Sequence, residues 1–257
     1  MTLDLACADR GAGAPLVILH GLYGAKRNWA TIASRLALRR RVITVDLRNH
    51  GESPWDARHD YPALAADVAR LIETRAGGPA DVLGHSMGGK AAMILALFRP
   101  ELVSRLVVVD IAPAASPGTA AVPPRVLRAV QLSGLTRRTE VEEALVATIP
   151  DPAVRAFLAA NVRSGSAGLA WTINLEALEH HFAEILSFPD IHPGVAFPKP
   201  ALFIAGGSSD YLRPEHRPAI ERLFPAAFME TIPDAGHWVH AEAPAAFLEL
   251  VERFLDA

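Results

Sequence analysis

Short apolar runs alternate with longer segments of helical periodicity along most of this sequence. Several runs consist largely of Val, Ile and Leu without polar alternation, which indicates strands that are buried on both faces. The predicted strands are 16–20, 42–46, 81–85, 106–110, 201–205 and 228–232. The predicted helices are 28–38, 61–74, 87–98, 214–223 and 245–254. This order predicts an α/β fold with a mainly parallel sheet that is covered by helices on both faces.

The segment 114–193 interrupts this rhythm. It begins with a stretch, 113–124, that is dense in proline, glycine and small residues and is typical of a loop. Helical patterns follow at 141–148, 152–162 and 175–185, and no strand is predicted between them. The sequence therefore predicts a core formed by residues 1–113 and 194–257. It predicts a helical cap, residues 114–193, over one end of the sheet.

Composition and charge exclude several classes of function. The formal net charge is -3, and no face is strongly basic, so we do not expect nucleic acid as a partner. The only cysteine is Cys7, so no disulfide can form within the chain. No uncharged stretch approaches the roughly 20 apolar residues of a membrane span, and residues up to Arg10 lack the apolar part of a secretion signal. We expect a cytoplasmic protein that acts on a small molecule.

The strongest local motif is G-x-S-x-G, at Gly84-His85-Ser86-Met87-Gly88. It follows a predicted buried strand and opens a predicted helix, which is where a sharp turn presents a nucleophilic serine. Glycine is expected at both flanking positions because side chains there would collide with neighbouring backbone. The motif and its context therefore predict Ser86 as a nucleophile.

A serine hydroxyl becomes a good nucleophile only when a base accepts its proton. His237 is the best candidate among the ten histidines, because it lies between the last predicted strand and the last predicted helix. Acyl transfer also needs N–H donors for the oxyanion that develops in the reaction. We expect one from the backbone of Met87. The other is expected from Leu22, in the glycine-containing loop after the first predicted strand.

Two aspartates are candidates for the acid that orients His237. Asp210 follows the strand 201–205, where many proteins with this arrangement of strands place an acid. Asp110 ends the strand that comes after the one leading to Ser86. Both carboxylates lie at strand ends, and the hydrophobic pattern does not choose between them.

These motifs together resemble the YbfF-type esterases of the α/β-hydrolase superfamily and their abhydrolase-domain relatives. The matching blocks are residues 19–24 (LHGLYG), 46–54 (DLRNHGESP), 84–90 (GHSMGGK), 109–113 (VDIAP) and 235–242 (AGHWVHAE). The resemblance implies an esterase that cleaves short- to medium-chain acyl esters or thioesters through an acyl-enzyme, without a cofactor or a metal. It also implies that Asp110 is the acid and that Ser209 stands where the common fold has its acid. The sequence departs from the family's pattern by adding Asp210 beside that serine.

Other functions fit parts of the same pattern. The spacing from Gly84 to Gly89, followed by Lys90, is also that of a phosphate-binding loop in nucleotide hydrolases. Ala91 argues against that class, because the loop needs a hydroxyl at this position to bind magnesium. Within the α/β-hydrolase fold, hydrolysis of lactones, peracids or C–C bonds is compatible with the same residues. A non-catalytic binding protein would be expected to lack a member of the set.

Overall fold

A computed structural model describes residues 1–117, 121–166 and 168–257. Its strands are β1 (Cys7–Arg10), β2 (Pro15–Leu19), β3 (Arg41–Val45), β4 (Ala80–His85), β5 (Val103–Val109), β6 (Val162–Gly165), β7 (Gly168–Trp171), β8 (Ala201–Gly206) and β9 (Ala227–Ile232). Its α-helices are α1 (Ala30–Leu36), α2 (Tyr61–Leu71), α3 (Met87–Phe98), α4 (Pro124–Arg128), α5 (Arg138–Ala144), α6 (Pro152–Ala159), α7 (Leu175–His180), α8 (Phe182–Leu186), α9 (Arg217–Leu223), α10 (Val239–Glu242) and α11 (Pro244–Asp256). Within the described ranges, no helix is long and apolar enough to cross a membrane.

The main sheet has the strand order β1-β3-β2-β4-β5-β8-β9. Neighbouring strands pair in parallel from β3 to β9, whereas β1 at the edge runs antiparallel to β3. Every predicted strand is present, with shifted ends. The sequence did not predict β1, because its residues Cys7–Arg10 are half-buried or exposed and form no apolar run.

Helices cover both faces of the sheet. Leu16 and Ile18 of β2 pack in a hydrophobic cluster that also contains buried residues of α1 and α11. The alternate residues Val17 and Leu19 belong to a second cluster, which contains buried residues of α2, α3 and α9. Because successive side chains of a strand point to opposite faces, the two clusters lie on opposite sides of the sheet. The predicted fold class is confirmed.

The segment between β5 and β8 differs from the expected all-helical cap. It contains α4 to α8, but it also contains an antiparallel hairpin formed by β6 and β7. The prediction of no strand in this segment is wrong. The predicted helix 152–162 ends at Ala159, and the residues that follow are rich in glycine and serine, which are poor helix formers. Four-residue strands that expose part of their side chains carry too little apolar alternation to be recognised in the sequence.

This insert contacts the loops that follow the parallel strands. The Asn161 side-chain amide donates to the Tyr23 carbonyl oxygen, in the loop after β2, at 2.8 Å. The Asn174 backbone N–H donates to the Asn49 carbonyl oxygen, after β3, at 2.9 Å. The insert therefore lies at the carboxyl ends of the strands, the edge of the sheet at which Ser86 follows β4. The predicted domain boundaries, 114 and 193, stay a prediction.

Candidate active site

The turn between β4 and α3 presents Ser86. Its backbone has φ 53° and ψ −121°, a conformation that residues with side chains rarely adopt. A Cβ atom on Gly84 would lie 2.2 Å from the Gly88 carbonyl oxygen, and one on Gly88 would lie 2.5 Å from the His20 carbonyl oxygen. The two glycines of the motif are therefore needed for the reason the sequence indicates. The Ser86 N–H donates to the Val109 carbonyl oxygen at 3.0 Å, which holds the turn against β5.

Ser86, His237 and Asp110 form one chain of hydrogen bonds. The His237 Nε2 atom is 3.1 Å from Ser86 Oγ, and its Nδ1 atom is 2.7 Å from Asp110 Oδ2. Asp110 follows β5 and is fully buried, whereas the His237 side chain, in the loop after β9, is 22% exposed. Because the carboxylate accepts a hydrogen bond from Nδ1–H, Nε2 is left as an acceptor that faces the serine hydroxyl.

Asp110, and not Asp210, lies beside His237. The Asp110 carboxylate accepts hydrogen bonds from the Gly206 N–H at 2.9 Å and from the Ser209 hydroxyl. The Asp210 side chain is 81% exposed, and its nearest cation is Arg213 at 3.9 Å. The structure thus brings together the acid and the serine that the family resemblance implies, and it leaves the alternative acid at the surface.

Leu22 and Met87, the two expected oxyanion donors, line one small cavity together with Ser86. The loop that carries Leu22 packs closely on Ser86, since a Cβ on Gly21 would lie 3.1 Å from Ser86 Cβ. Met87 is the first residue of α3, where backbone N–H groups have no acceptor within the helix. The position of both residues is consistent with the expected role of their N–H groups.

Two buried histidines hold the loop that carries Leu22. His50 Nε2 accepts from the Tyr23 N–H at 3.2 Å, and its Nδ1–H donates to the Arg48 carbonyl oxygen at 3.0 Å. His20 Nδ1–H donates to the Gly21 carbonyl oxygen at 2.8 Å. Burial lowers the pKa of His50 to about 3, so its ring stays neutral and keeps an acceptor for Tyr23. The hydrogen bond from the Tyr23 N–H to His50 joins the segment after β3 to the loop after β2.

His237 itself is held from two sides. The His85 Nε2–H donates to the His237 carbonyl oxygen at 2.8 Å, and burial lowers the pKa of His85 well below its usual range. The Tyr211 ring stacks on the His237 ring with 3.8 Å between centroids. Sequence reasoning missed both contacts, because neither residue carries a signal beyond its place next to a motif.

Two cavities meet at Ser86. The larger has a volume of about 370 Å³ and is lined mainly by apolar side chains, including Val154, Phe157 and Trp238. The smaller has a volume of about 30 Å³ and extends along α3 towards Lys90. Residues of the insert contribute to the walls of both cavities.

Lys90 is buried at the end of the smaller cavity. Its ammonium donates to Ser116 Oγ at 2.9 Å and to the carbonyl oxygens of Leu186 and Ser187 at 3.0 Å and 2.6 Å. Burial lowers the pKa of Lys90 to about 7. These contacts tie α3 to the end of α8, so the side chain links core and insert. A phosphate-binding lysine would instead point into an open anion site.

The fold and the geometry of this site define a hydrolase, and comparison with known proteins agrees. Residues 14–244 match the α/β hydrolase fold family, and the chain belongs to that family. The alternative of a nucleotide hydrolase with a phosphate-binding loop is therefore wrong.

Among curated proteins, the chain is 41% identical to the sn-1-specific diacylglycerol lipase ABHD11 of Xenopus tropicalis, over 95% of this chain and 79% of that protein. It is 34% identical to Esterase YbfF of Escherichia coli (strain K12), over 94% of this chain and 93% of that protein. A solved structure described as a marine microorganism esterase superposes with a TM-score of 0.92 at 35% identity, and it covers 98% of this chain and 100% of that one. The resemblance to YbfF-type esterases is confirmed, and the chain is an enzyme of the hydrolase class.

Proposed function

We propose that this enzyme cleaves carboxylic esters or thioesters of short- to medium-chain acyl groups, with Ser86 as the nucleophile and an acyl-enzyme as the intermediate. The observation that carries the proposal is the chain of hydrogen bonds from Ser86 Oγ through His237 to Asp110, with lengths of 3.1 Å and 2.7 Å. Nucleophile, base and orienting acid in this geometry are what acyl transfer requires. The names of the relatives, a lipase and two esterases, support an ester as the substrate.

The first half of the reaction forms the acyl-enzyme. His237 Nε2 accepts the proton of Ser86 as Oγ attacks the carbonyl carbon of the ester. The carbonyl oxygen becomes an oxyanion, and the N–H groups of Leu22 and Met87 stabilise it. The buried carboxylate of Asp110 stabilises the imidazolium that forms. When the intermediate collapses, the bond to the alcohol oxygen breaks, and that oxygen takes the proton from His237.

The second half of the reaction repeats the same steps with water. His237 accepts a proton from a water molecule, which attacks the acyl carbon. The bond to Ser86 Oγ breaks, Ser86 recovers its proton from His237, and the carboxylic acid leaves. No group beyond these side chains and the substrate is needed to balance the protons.

Labelling by a fluorophosphonate probe tests the assignment of Ser86. The wild type and Ser208→Ala should be labelled, because Ser208 is an exposed serine outside the hydrogen-bonded chain. Ser86→Ala should stay unlabelled, and its turnover of 4-nitrophenyl butanoate should fall to the background rate. Labelling that persists in Ser86→Ala would assign the nucleophile to another residue.

A further inference from the structure

The direction of the Leu22 N–H depends on the carbonyl group of the same peptide unit, which is that of Gly21. The Gly21 carbonyl oxygen accepts hydrogen bonds from the Gly24 N–H at 2.9 Å and from His20 Nδ1–H at 2.8 Å. Because a trans peptide unit is planar and its N–H and C=O point in opposite directions, these bonds also fix where the Leu22 N–H points. The Gly24 N–H is therefore one of two groups that orient the expected oxyanion donor.

The Gly24 N–H belongs to a peptide unit that a residue of the insert holds. The carbonyl group of this unit is that of Tyr23, and its oxygen accepts from Asn161 Nδ2 at 2.8 Å. Tyr23 has φ 61°, in the left-handed region, which residues with side chains keep only where their surroundings hold them. The bond from Asn161 therefore helps to keep the Gly24 N–H directed at the Gly21 carbonyl oxygen.

A chain of two hydrogen bonds and two peptide units thus leads from the insert to the oxyanion donor. It begins with the bond from Asn161 Nδ2 to the Tyr23 carbonyl oxygen. It continues with the bond from the Gly24 N–H to the Gly21 carbonyl oxygen and ends at the Leu22 N–H. A carbonyl that accepts a hydrogen bond polarises its peptide unit, so the bonds of such a chain strengthen one another. The chain therefore both orients the Leu22 N–H and makes it a better donor.

The side-chain amide of Asn161 is fixed in the orientation that donates. The side chain is fully buried, and its Nδ2 atom has a second acceptor in the Leu158 carbonyl oxygen at 3.2 Å. Its Oδ1 atom faces the Arg27 guanidinium at 3.4 Å. A reversed amide would place its oxygen against two carbonyl oxygens, so the nitrogen must face Tyr23. The Asn161 carbonyl oxygen accepts from the Thr172 N–H at 2.7 Å, which ties the residue to the end of the hairpin β6–β7.

Building on the proposed function, we propose that Asn161 is a positioning residue for the oxyanion donor Leu22. The insert thereby completes the oxyanion hole, in addition to contributing to the walls of both cavities. Because Asn161 acts through two peptide units, its loss should weaken the stabilisation of the oxyanion and leave the binding of the ester largely unchanged.

Steady-state kinetics with 4-nitrophenyl butanoate test this role on the full chain. Asn161→Leu keeps a side chain of similar size and removes the donor, so kcat should fall by about tenfold to hundredfold with KM little changed. The loss should be smaller than the roughly 100- to 1,000-fold of a deleted oxyanion donor, because His20 still holds the Gly21 carbonyl oxygen.

Inhibition by an alkyl trifluoromethyl ketone separates a defect in the oxyanion hole from a general disturbance of the site. Such a ketone adds to Ser86 and forms an oxyanion, whereas the corresponding methyl ketone binds largely without this addition. In Asn161→Leu, the inhibition constant of the trifluoromethyl ketone should rise by about the factor by which kcat falls. The inhibition constant of the methyl ketone should stay close to that of the wild type.

Asn174→Ala is the matched control, because Asn174 is an asparagine of the same insert that also binds the core. Its side chain donates to Asn49 Oδ1 at 3.1 Å, and Asn49 lies in the loop after β3 and not in the loop that carries Leu22. This variant should lower the melting temperature, as Asn161→Leu does, and should keep kcat close to the wild-type value.

Three results would overturn the inference and leave the proposed function in place, provided that melts show folded variants. They are a wild-type kcat in Asn161→Leu, a change in KM alone, and equal losses of kcat in Asn161→Leu and Asn174→Ala. Absence of ester turnover in the wild type would overturn the proposed function and the inference with it. Asn161→Ser has a side chain one bond too short for the Tyr23 oxygen, and it provides the same comparison if the leucine variant does not fold.

Discussion

Replacing Asp110 by asparagine should change which nitrogen of His237 carries the proton and little else in the proposed site. The Asp110 side chain is fully buried and accepts hydrogen bonds from Gly206, Ser209 and His237. The asparagine oxygen can keep some of these bonds, but its amide nitrogen is a donor. If that nitrogen faces His237, Nδ1 must become an acceptor and Nε2 then carries the proton. The Nε2 atom of His237 would then be a donor and could not accept the proton of Ser86.

The size of the effect follows from this change of tautomer. The same exchange in a serine protease triad lowers kcat by about 10⁴-fold, which corresponds to about 5.5 kcal/mol of transition-state stabilisation. We expect a loss of the same order for Asp110→Asn. Ser209→Ala removes one hydrogen bond to the carboxylate, which is worth about 1.5 to 3 kcal/mol, or about tenfold to hundredfold in rate.

The assay is kcat/KM for 4-nitrophenyl butanoate, and Asp210→Asn is the matched control. The Asp210 side chain is 81% exposed and lies 3.9 Å from Arg213, so its removal should cost at most about tenfold. Thermal melts of all variants separate a loss of catalysis from a loss of folding, because a buried amide without its partners also destabilises the protein.

The reverse order of effects would refute this reasoning. If Asp210→Asn lost several orders of magnitude and Asp110→Asn stayed active in a folded protein, Asp210 would be the acid that orients His237. The hydrogen bond between Asp110 and His237 would then have a structural role only.

Two further predictions concern the histidines around the site. The value of kcat/KM should rise from acid to neutral pH, because only a neutral His237 imidazole accepts the serine proton. Burial lowers the pKa of His50 to about 3 and of His240 to about 4, so neither ring gains a proton near neutral pH. Unfolded histidines bind protons below about pH 6.5, so stability also falls towards acid, and melts at each pH must show a folded enzyme. A value of kcat/KM that stays constant from acid to neutral pH in the folded enzyme would contradict the role of His237 as the base. His50→Ala removes the acceptor of the Tyr23 N–H, beside Leu22, and should lower kcat by about tenfold to hundredfold with KM little changed. His50→Gln should recover part of the loss, because its amide oxygen can accept the same N–H. A change in KM alone would mean that His50 supports binding and not the oxyanion donors.

The order and type of the core elements were predictable from the sequence, because buried parallel strands are apolar throughout. The strand that becomes β4 is apolar along most of its length, and the turn after it is marked by two glycines that the backbone requires. Signals of this kind are local, and they are present in the chain before it folds. The exposed edge strand β1 and the hairpin β6–β7 have no such signal, so the sequence did not predict them.

The candidate site was predictable to different degrees. Ser86 follows from its motif, and His237 follows from its place between the last strand and the last helix. Before the family resemblance is considered, the sequence pattern leaves Asp110 and Asp210 as equal candidates for the acid, since both follow a strand. The choice depends on which carboxylate points towards the imidazole.

The sequence by itself determined the fold class, the sharp turn that carries Ser86 and the position of His237 after the last strand, because each depends on residues that are near one another in the chain. Only the tertiary structure decided which acid faces His237, because Asp110 and His237 come from strand ends that are distant in sequence and converge at one edge of the sheet. Only the tertiary structure likewise produced the two cavities, whose walls combine the core with the insert. The reason is the same for both: hydrophobic periodicity specifies which side chains are buried, and packing specifies which of them meet.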